Sequence, residues 1–543
     1  MDPSFSQPGI QSRNSIEDIW GPRTPYVHEW PVRVDVAADD DPERWVQSAC
    51  VLCSNGCALD IGVKNGKVVG VRGCATDRVN KGRLGPKGLY GWKAIHSKDR
   101  ITHPLIRRNG KLEKASWDEA MDLVVQKSKE LLSRLTAHSI AFYTTGQLFL
   151  EEYYALALIG KAGLQTVHMD GNTRVCTAIA AASMRESFGS DGQPTSHTDI
   201  DYTDCLFLVG HNMAATQTVV WSRVLDRIHG PKPPKLIVID PRYSETASKA
   251  DAYVEKHVVG LQALEKTGSE HTTEKVEEIT GVAATKLQQA AQIIGTTPTL
   301  LSTALQGVYQ SNQSTASTCE INNINLMRRL IRKPGSSVLL MNGQPTAQNN
   351  REVGCDGESP GFRNHQNPAH FDELAELWNL DKIRIPHWNE PTHIENMLKD
   401  IFTQPELFVV CQDIYWTETV AMADVVLSDA QWGEKTGCFT TGDRTVHISH
   451  KASLSRGWRN SARTKKLAVS TRRIFLTRLL LGRYTATQGG QHGPLGVLFV
   501  LRGLQVYLAH IEACLTALNP VSQVYGISAS LTPLNLQHKS SGE

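Results

Sequence analysis

At 543 residues the chain exceeds the size at which one hydrophobic core stops growing, so about two to four packed modules are expected. Its 40% hydrophobic and 21% charged residues describe an ordinary globular protein, and 57 Lys+Arg against 55 Asp+Glu leave no field that would select nucleic acid as a partner. No uninterrupted apolar run of about 18 residues appears, so no membrane partner is expected. The nearest, "PLGVLFVLRGLQVYLAHIEACL" at 494–515, is broken by Arg502, His510 and Glu512 and reads as a buried or ill-packed helix. Met1–Ser15 shows no secretion signal or twin arginine, and the 11 cysteines are an odd number. Reduced or metal-bound thiols in the cytoplasm are therefore expected rather than a disulfide framework.

Residues 1–44, rich in Pro, Asp and Ser, read as an extended arm. Next comes "ACVLCSNGC", with Cys50, Cys53 and Cys57 spaced C-x2-C-x3-C. "ALDIGVKNGKVVGVRG" then alternates apolar and polar residues about Asn65-Gly66, a strong hairpin signal, so the cysteines belong to a loop of a small β-rich lobe spanning 45–105.

At "ASWDEAMDLVVQKSKELLSRL" the period becomes helical, with Ser116 and Glu119 spaced as a capping box. Strands and helices then alternate: "SIAFYTT", "LEEYYALALIGKAG", "RVCTAIAAASMRESF", "CLFLVG", "TQTVVWSRVLDRIH" and "KLIVID". Near-continuous apolar strands separated by helices predict α/β architecture with parallel sheets covered on both faces. "SSVLLMNGQP" and "ELFVVCQD" begin a second such region, and the α/β part is taken as 106–452. The strands run into His211-Asn212, Asp240-Pro241-Arg242 and other polar turns, where parallel sheets bind ligands, and this suggests a large, polar, nucleotide-like cofactor between domains. Neither G-x-G-x-x-G nor G-x4-G-K-[ST] is present, so an ordinary nicotinamide or nucleoside-triphosphate site is not supported. Residues 453–543 are basic and poorly patterned, and no packed domain is assigned to them.

The spacing of Cys50, Cys53 and Cys57 lets one tight loop turn three sulfurs inward, and thiolates suit zinc or an iron–sulfur cluster. A structural zinc site commonly uses two paired halves, yet no second C-x2-C follows. Cys74, at the far end of the hairpin, is the candidate fourth ligand of either centre.

"CVLCSNGC" followed by "DRVNKGRLGPKGLYGW" resembles the N-terminal lobe of the molybdopterin oxidoreductases, the bis-molybdopterin guanine dinucleotide enzymes that include nitrate reductases and formate dehydrogenases. The resemblance implies a four-iron cluster on Cys50, Cys53 and Cys57. The family's fourth cysteine falls at Gly85, which cannot ligate iron, so Cys74, a cluster with three protein ligands, or no cluster remain open. Lys87 matches a family lysine between cluster and pterin. "DGNTRVCTAIAAASMRESFGSDGQPTSHTDI" resembles the segment whose cysteine coordinates molybdenum, which points to Cys176. "VGHNMAATQTVVWSRVLDR" and "VIDPR" resemble loops that bind one guanine dinucleotide, implying Gly210, Asn212, Asp240 and Arg242. "MNGQPTAQNNREVGCDG" contributes Gly343 and Gln344 to the cofactor, with Arg351 placed to attract an anionic substrate. "ADVVLSDAQWGEKTGCFTTGDRTV" places Trp432, Glu434 and Thr436 at the site.

The resemblance spans about 44–450 and implies molybdenum-dependent oxygen-atom transfer from nitrate, releasing nitrite, with electrons passing from a separate donor through the cluster. Formate oxidation is the alternative; formate dehydrogenases of this family place a histidine after the ligating residue, where this chain has Thr177. A non-catalytic, metal-bearing binding protein is the alternative of another class. Two internal pieces, after "ADAYVEKHVVG" and before "TQPELFVVCQD", look missing, as does the family's C-terminal β-barrel. The expectation is a shortened relative with impaired activity.

Overall fold

The computed structural model describes residues 23–135, 139–166, 168–254, 271–356, 359–363, 367–380, 406–453 and 497–501. The expected internal gaps, at 255–270 and 381–405, and all of the tail except 497–501 lie outside them.

The first lobe is a four-stranded antiparallel sheet in the order β1-β4-β3-β2, formed by β1 (Val36–Ala38), β2 (Arg44–Ala49), β3 (Ala58–Lys64) and β4 (Lys67–Gly73). The β3–β4 turn is closed by Asn65 and Gly66 at φ 50° and 67°, the paired left-handed conformations that a twisted hairpin needs. The cysteine loop joins β2 to β3, tied at its base by the Cys50 N–H donating to the Cys57 carbonyl at 2.9 Å. The segment expected as an arm is anchored at Tyr26 and Trp30, while Val27, Val32, Val34 and Val36 are exposed. Trp30 is wholly buried between the guanidinium groups of Arg83 and Arg223, 4.0 and 5.2 Å from its ring, and its indole N–H donates to Asp226 at 2.8 Å.

Two parallel sheets follow. One has the order β11-β10-β9-β12-β13, from β9 (Cys205–Val209), β10 (Lys235–Ile239), β11 (Ala252–Val254), β12 (Leu300–Ala304) and β13 (Ser337–Leu340). Every residue of β9 and β12 is buried, the pattern of central strands covered on both faces. The other has the order β6-β5-β15-β14-β18-β7-β8. Its members are β5 (Leu105–Arg108), β6 (Lys111–Lys114), β7 (Ile140–Thr144), β8 (Met169–Gly171), β14 (Phe408–Asp413), β15 (Val425–Ser428) and β18 (Val497–Leu501). A last hairpin, β16 (Gly437–Thr440) with β17 (Val446–Ser449), returns to the first lobe, where the Ser48 and Ser449 hydroxyls meet at 2.8 Å.

Within the apolar run near the C-terminus only Val497–Leu501 is described, and there the expected helix is replaced by a strand. This segment is β18, parallel to both β14 and β7 and lying between them. A run of Val, Leu and Phe suits a strand buried on both faces as well as a helix, and the open position between β14 and β7 decides in favour of the strand.

The helix Trp117–Arg134 starts as expected, the Ser116 hydroxyl accepting from the Glu119 N–H at 3.1 Å, while the Glu119 carboxylate turns to Arg108. The helix Arg174–Phe188 matches its expected limits and ends at Gly189 in the left-handed conformation. The chain is thus α/β, with a β-rich lobe ahead of two predominantly parallel sheets.

Candidate active site

Register brings the site together. In the five-stranded sheet Val209 lies opposite Ile239 and Ala304, and Ala304 opposite Leu340, so the segments after all four strands emerge at one edge. They carry Gly210, Asp240, Gln306 and Gly343. In the other sheet Thr144 of β7 faces Gly171 of β8, so Gly146 and the Cys176 helix also leave from carboxyl ends. The two edges meet. The Gln344 amide approaches the Thr145 hydroxyl at 3.5 Å, and the Asn342 carbonyl accepts from Gln217 at 3.1 Å and from the Ser54 hydroxyl of the cysteine loop. The carboxyl ends of both sheets and the thiol loop therefore share one seam, the usual place for ligands in such sheets.

In the thiol loop Cys50 and Cys57 are buried and Cys53 half-buried. Burial pushes the Cys50 thiol up to about 12, with Cys53 adding to the rise and Lys87 opposing it. Burial raises Cys53 too, and raises Cys57 well above the ordinary range, with Cys53 and Cys50 reinforcing the shift at Cys57. Thiols raised in this way stay neutral unless a strong positive centre makes them thiolates. Lys87 lies in the short helix Pro86–Tyr90, which also packs on the loop: a Cβ at Gly88 would sit 3.6 Å from the Cys50 sulfur. A Cβ at Gly85 would meet the Thr218 hydroxyl at 2.7 Å. Cys74 stands one strand over from Cys57, its N–H donating to the Ala58 carbonyl at 3.0 Å, but its thiol turns to the Thr76 hydroxyl at 3.3 Å. The structure thus groups Cys50, Cys53, Cys57 and Lys87, with the Cys74 thiol facing elsewhere.

Cys176 occupies the first turn of its helix, half-buried, and accepts a hydrogen bond from the Gln306 side-chain amide at 2.9 Å. A Cβ at Gly343 would lie in ordinary contact with that sulfur, at 3.5 Å, and closer to the Gln306 amide nitrogen, at 3.1 Å, so Gly343 lines the thiol. Arg351 is buried, donating through Nε to Asp191 at 2.8 Å and through one terminal nitrogen to the Ala347 carbonyl at 3.0 Å. Its other terminal nitrogen has no partner among the described residues. Burial raises the Tyr309 phenol, Cys176 adds to the rise and Arg351 opposes it, so both groups lie within electrostatic reach of that ring.

The nucleotide-end residues also gather. Gly210 has φ 56° and lies so close to Gly307 that a Cβ would meet the Gly307 carbonyl carbon at 2.6 Å. The Asn212 side-chain oxygen accepts from the Thr246 hydroxyl at 2.8 Å. Asp240 accepts from the Arg242 N–H at 2.9 Å, which leaves the Arg242 side chain exposed. Trp432, Glu434 and Thr436 are engaged differently. Both Glu434 oxygens take Arg100, at 2.9 and 2.8 Å, the Thr436 hydroxyl accepts from the Lys451 N–H at 2.9 Å, and Trp432 joins the main core.

Several participants received no role from motif reading. His211 holds Thr303 at 2.7 Å and Gln217 at 2.9 Å, orienting Gln217 toward Asn342, and burial pulls its imidazole down to about 4. Gln306, Ser54 and Asn55 carry no spacing signature. Buried polar atoms of Asn55, Thr177, His197, Gln344 and Asn350 have no hydrogen-bond partner among the described residues. Orphans of this kind are costly unless a polar ligand meets them.

Residues 43–97 match the Molybdopterin oxidoreductase Fe4S4 domain, and residues 100–459 match the Molybdopterin oxidoreductase domain. The chain belongs to the molybdopterin oxidoreductase family. Among its relatives, the periplasmic nitrate reductase of Desulfovibrio desulfuricans is 30% identical over 487 residues, covering 77% of this chain and 64% of that protein. The alpha subunit of F420-dependent formate dehydrogenase 1 from Methanococcus maripaludis is 29% identical over 472 residues, covering 76% of this chain and 68% of that one. The chain thus spans under two thirds of that nitrate reductase's length. Among solved structures, acetylene hydratase from Pelobacter acetylenicus shares the fold, with a TM-score of 0.57 and 18% identity over 81% of this chain and 70% of that one.

The cofactors of the matched domains are molybdenum held by molybdopterin and a four-iron, four-sulfur cluster. The residues present fit them: thiols raised by burial beside a lysine, the Cys176 thiol lined by Gly343 and Gln306 at the seam, and unmatched polar atoms such as those of Asn55, Thr177 and Gln344. Among the described residues no three His, Cys, Asp or Glu gather closely enough to share a single metal ion, so the thiols do not converge as a tetrahedral zinc site would require.

Proposed function

We propose that this chain reduces nitrate to nitrite by oxygen-atom transfer, fed with electrons from a separate donor protein or carrier through the iron–sulfur cluster. Nitrate takes up two electrons and two protons and leaves as nitrite and water. The observation that supports the reading is Cys176 at the shared seam, bonded by the Gln306 amide and lined by Gly343, with Arg351 on the segment that follows Gly343. Next to Cys176 stands Thr177, whose buried hydroxyl has no partner among the described residues and which offers no titratable base for taking a proton from formate. That favours an oxyanion acceptor over formate oxidation.

Molybdenum on molybdopterin supplies two-electron oxygen-atom exchange, and the cluster supplies one-electron carriage. Cys176 would ligate the molybdenum. Gly343 and Gln344 would face the pterin, and Gly210, Asn212, Asp240 and Arg242 would take one guanine dinucleotide. Cys50, Cys53 and Cys57 would each hold an iron, with Lys87 between cluster and pterin. The fourth iron falls to Cys74, after rotation away from Thr76, or to a non-protein ligand. Arg351 draws and orients the anionic substrate through its unengaged nitrogen, held in place by Asp191. Trp432, Glu434 and Thr436 brace the site from behind, since Glu434 is committed to Arg100. No disulfide joins the ten described cysteines, in keeping with the reading of a reducing, cytoplasmic setting. No described helix is long and apolar enough to cross a membrane.

The test is metal analysis of the purified chain together with turnover of nitrate and of formate using a viologen dye as electron carrier. Bound molybdenum with nitrate reduction is expected. Formate oxidation without nitrate reduction would transfer the chain to the formate reading, and folded protein that takes up no molybdenum would refute both.

A further inference from the structure

The short helix Gln306–Tyr309 follows β12 and lies across the start of the Cys176 helix. Two of its neighbouring side chains reach that helix one turn apart. Gln306 donates its amide to the Cys176 sulfur at 2.9 Å, and Gln310 donates to the Val175 carbonyl at 2.8 Å. The Gln310 N–H in turn donates to the Gln306 carbonyl at 3.0 Å, so the two glutamines share one face. Their backbone is pinned from below, the Gly307 N–H donating to the Gly210 carbonyl at 3.0 Å across a glycine–glycine contact too tight for any side chain. From the third direction, a Cβ at Gly343 would come within 3.1 Å of the Gln306 amide nitrogen. The amide is thus aimed at the sulfur by contacts on three sides.

We propose that Gln306 is a positioning residue of the molybdenum site: its side-chain amide donates a hydrogen bond to the Cys176 thiolate and sets the reduction potential of the metal that this thiolate ligates. The proposal rests on the reading of Cys176 as the molybdenum ligand. A thiolate that accepts an N–H donates less electron density to its metal, so the more reduced metal is favoured and the potential rises. Gln310 holds the same helix through a backbone carbonyl and touches no sulfur, so it supports position without tuning.

The experiment uses molybdenum-loaded enzyme with Gln306→Leu, Gln306→Asn and Gln310→Leu. Potentials are read by redox titration of the Mo(V) electron paramagnetic resonance signal, and sulfur coordination by X-ray absorption at the molybdenum edge. Both Gln306 variants are expected to shift the potential to more negative values with sulfur coordination unchanged, while Gln310→Leu leaves it in place. Should Gln306→Leu fail to load metal, Gln306→Asn, which keeps a polar amide but withdraws it by one carbon, carries the test. An unchanged or more positive potential in a loaded Gln306 variant, with the thiolate still bound, overturns the proposal alone. A Cys176→Ala enzyme with unaltered sulfur coordination overturns the ligand reading and the proposal together.

Discussion

Glu434→Gln separates two meanings of one carboxylate. The family resemblance places Glu434 at the cofactor, whereas the structure joins it to Arg100 in a two-pronged ion pair whose side chains are 0% and 2% exposed. Arg100 also donates to the carbonyls of Ile95 and Asp429, both at 3.2 Å, so it ties the end of the first lobe to the segment after β15. Replacing the carboxylate leaves a buried guanidinium facing only neutral acceptors, at a cost of about 3–5 kcal/mol. At about 2 °C per kcal/mol for a large folding unit, the thermal midpoint should fall by roughly 6 °C or more. Differential scanning fluorimetry of the purified variant measures the fall, and molybdenum per folded molecule, read at low temperature, should stay near the parent value. The double variant Arg100→Met with Glu434→Leu, which removes both charges, should recover much of the loss. A Glu434→Gln protein with unchanged midpoint but no molybdenum would refute the bracing role and restore the cofactor role.

Three further outcomes can be checked. His211 is held neutral by burial, its folded value near 4 lying below the ordinary 6.5, so the unfolded chain takes up its proton first as pH falls. Its contribution is complete above about pH 6.5 and shrinks toward pH 4 by roughly 3 kcal/mol; thermal midpoints of His211→Gln against pH should show a shallower acid decline than the parent. Iron counting on Cys74→Ser and Gly85→Cys locates the fourth iron ligand: loss of iron in Cys74→Ser assigns it to Cys74, whereas an unchanged count assigns it to a non-protein ligand, which Gly85→Cys should displace if the Thr218 hydroxyl yields. Arg351→Lys keeps the charge opposite Asp191 but loses the planar fork, so nitrate KM should rise about tenfold, from a lost charge-assisted bond of about 1.5 kcal/mol, with molybdenum content unchanged. An unaltered KM would remove Arg351 from the substrate's path.

Much of the framework was legible along the chain because it is local. The cysteine spacing, the Asn65-Gly66 turn and the 174–188 helix are written in residues a few positions apart, and apolar runs such as Cys205–Val209 announce strands covered on both faces. What escaped was anything with an ambiguous period or a distant partner. The 497–501 run has a strand's composition and a helix's surroundings, and it became a strand where β14 and β7 left a place between them. Gln306 lies in a segment, "LQGVYQSNQSTASTCEINNINLM", that resembles a cofactor-facing one, but no role was assigned to it, since a glutamine donates to any acceptor brought within reach.

Composition, spacing and hydrophobic pattern by themselves determined the α/β class, the thiol-bearing β lobe and the order of the elements, because backbone preference and burial act within a turn or a strand. Which side chains meet was decided only by the tertiary structure: Glu434 with Arg100 across 334 positions, and Gln306 with Cys176 across 130. Such pairs form only after loops from separate strands are carried to one edge, and hydrogen-bond and ion-pair energies fall off within ångströms, so no pattern along the chain can encode them.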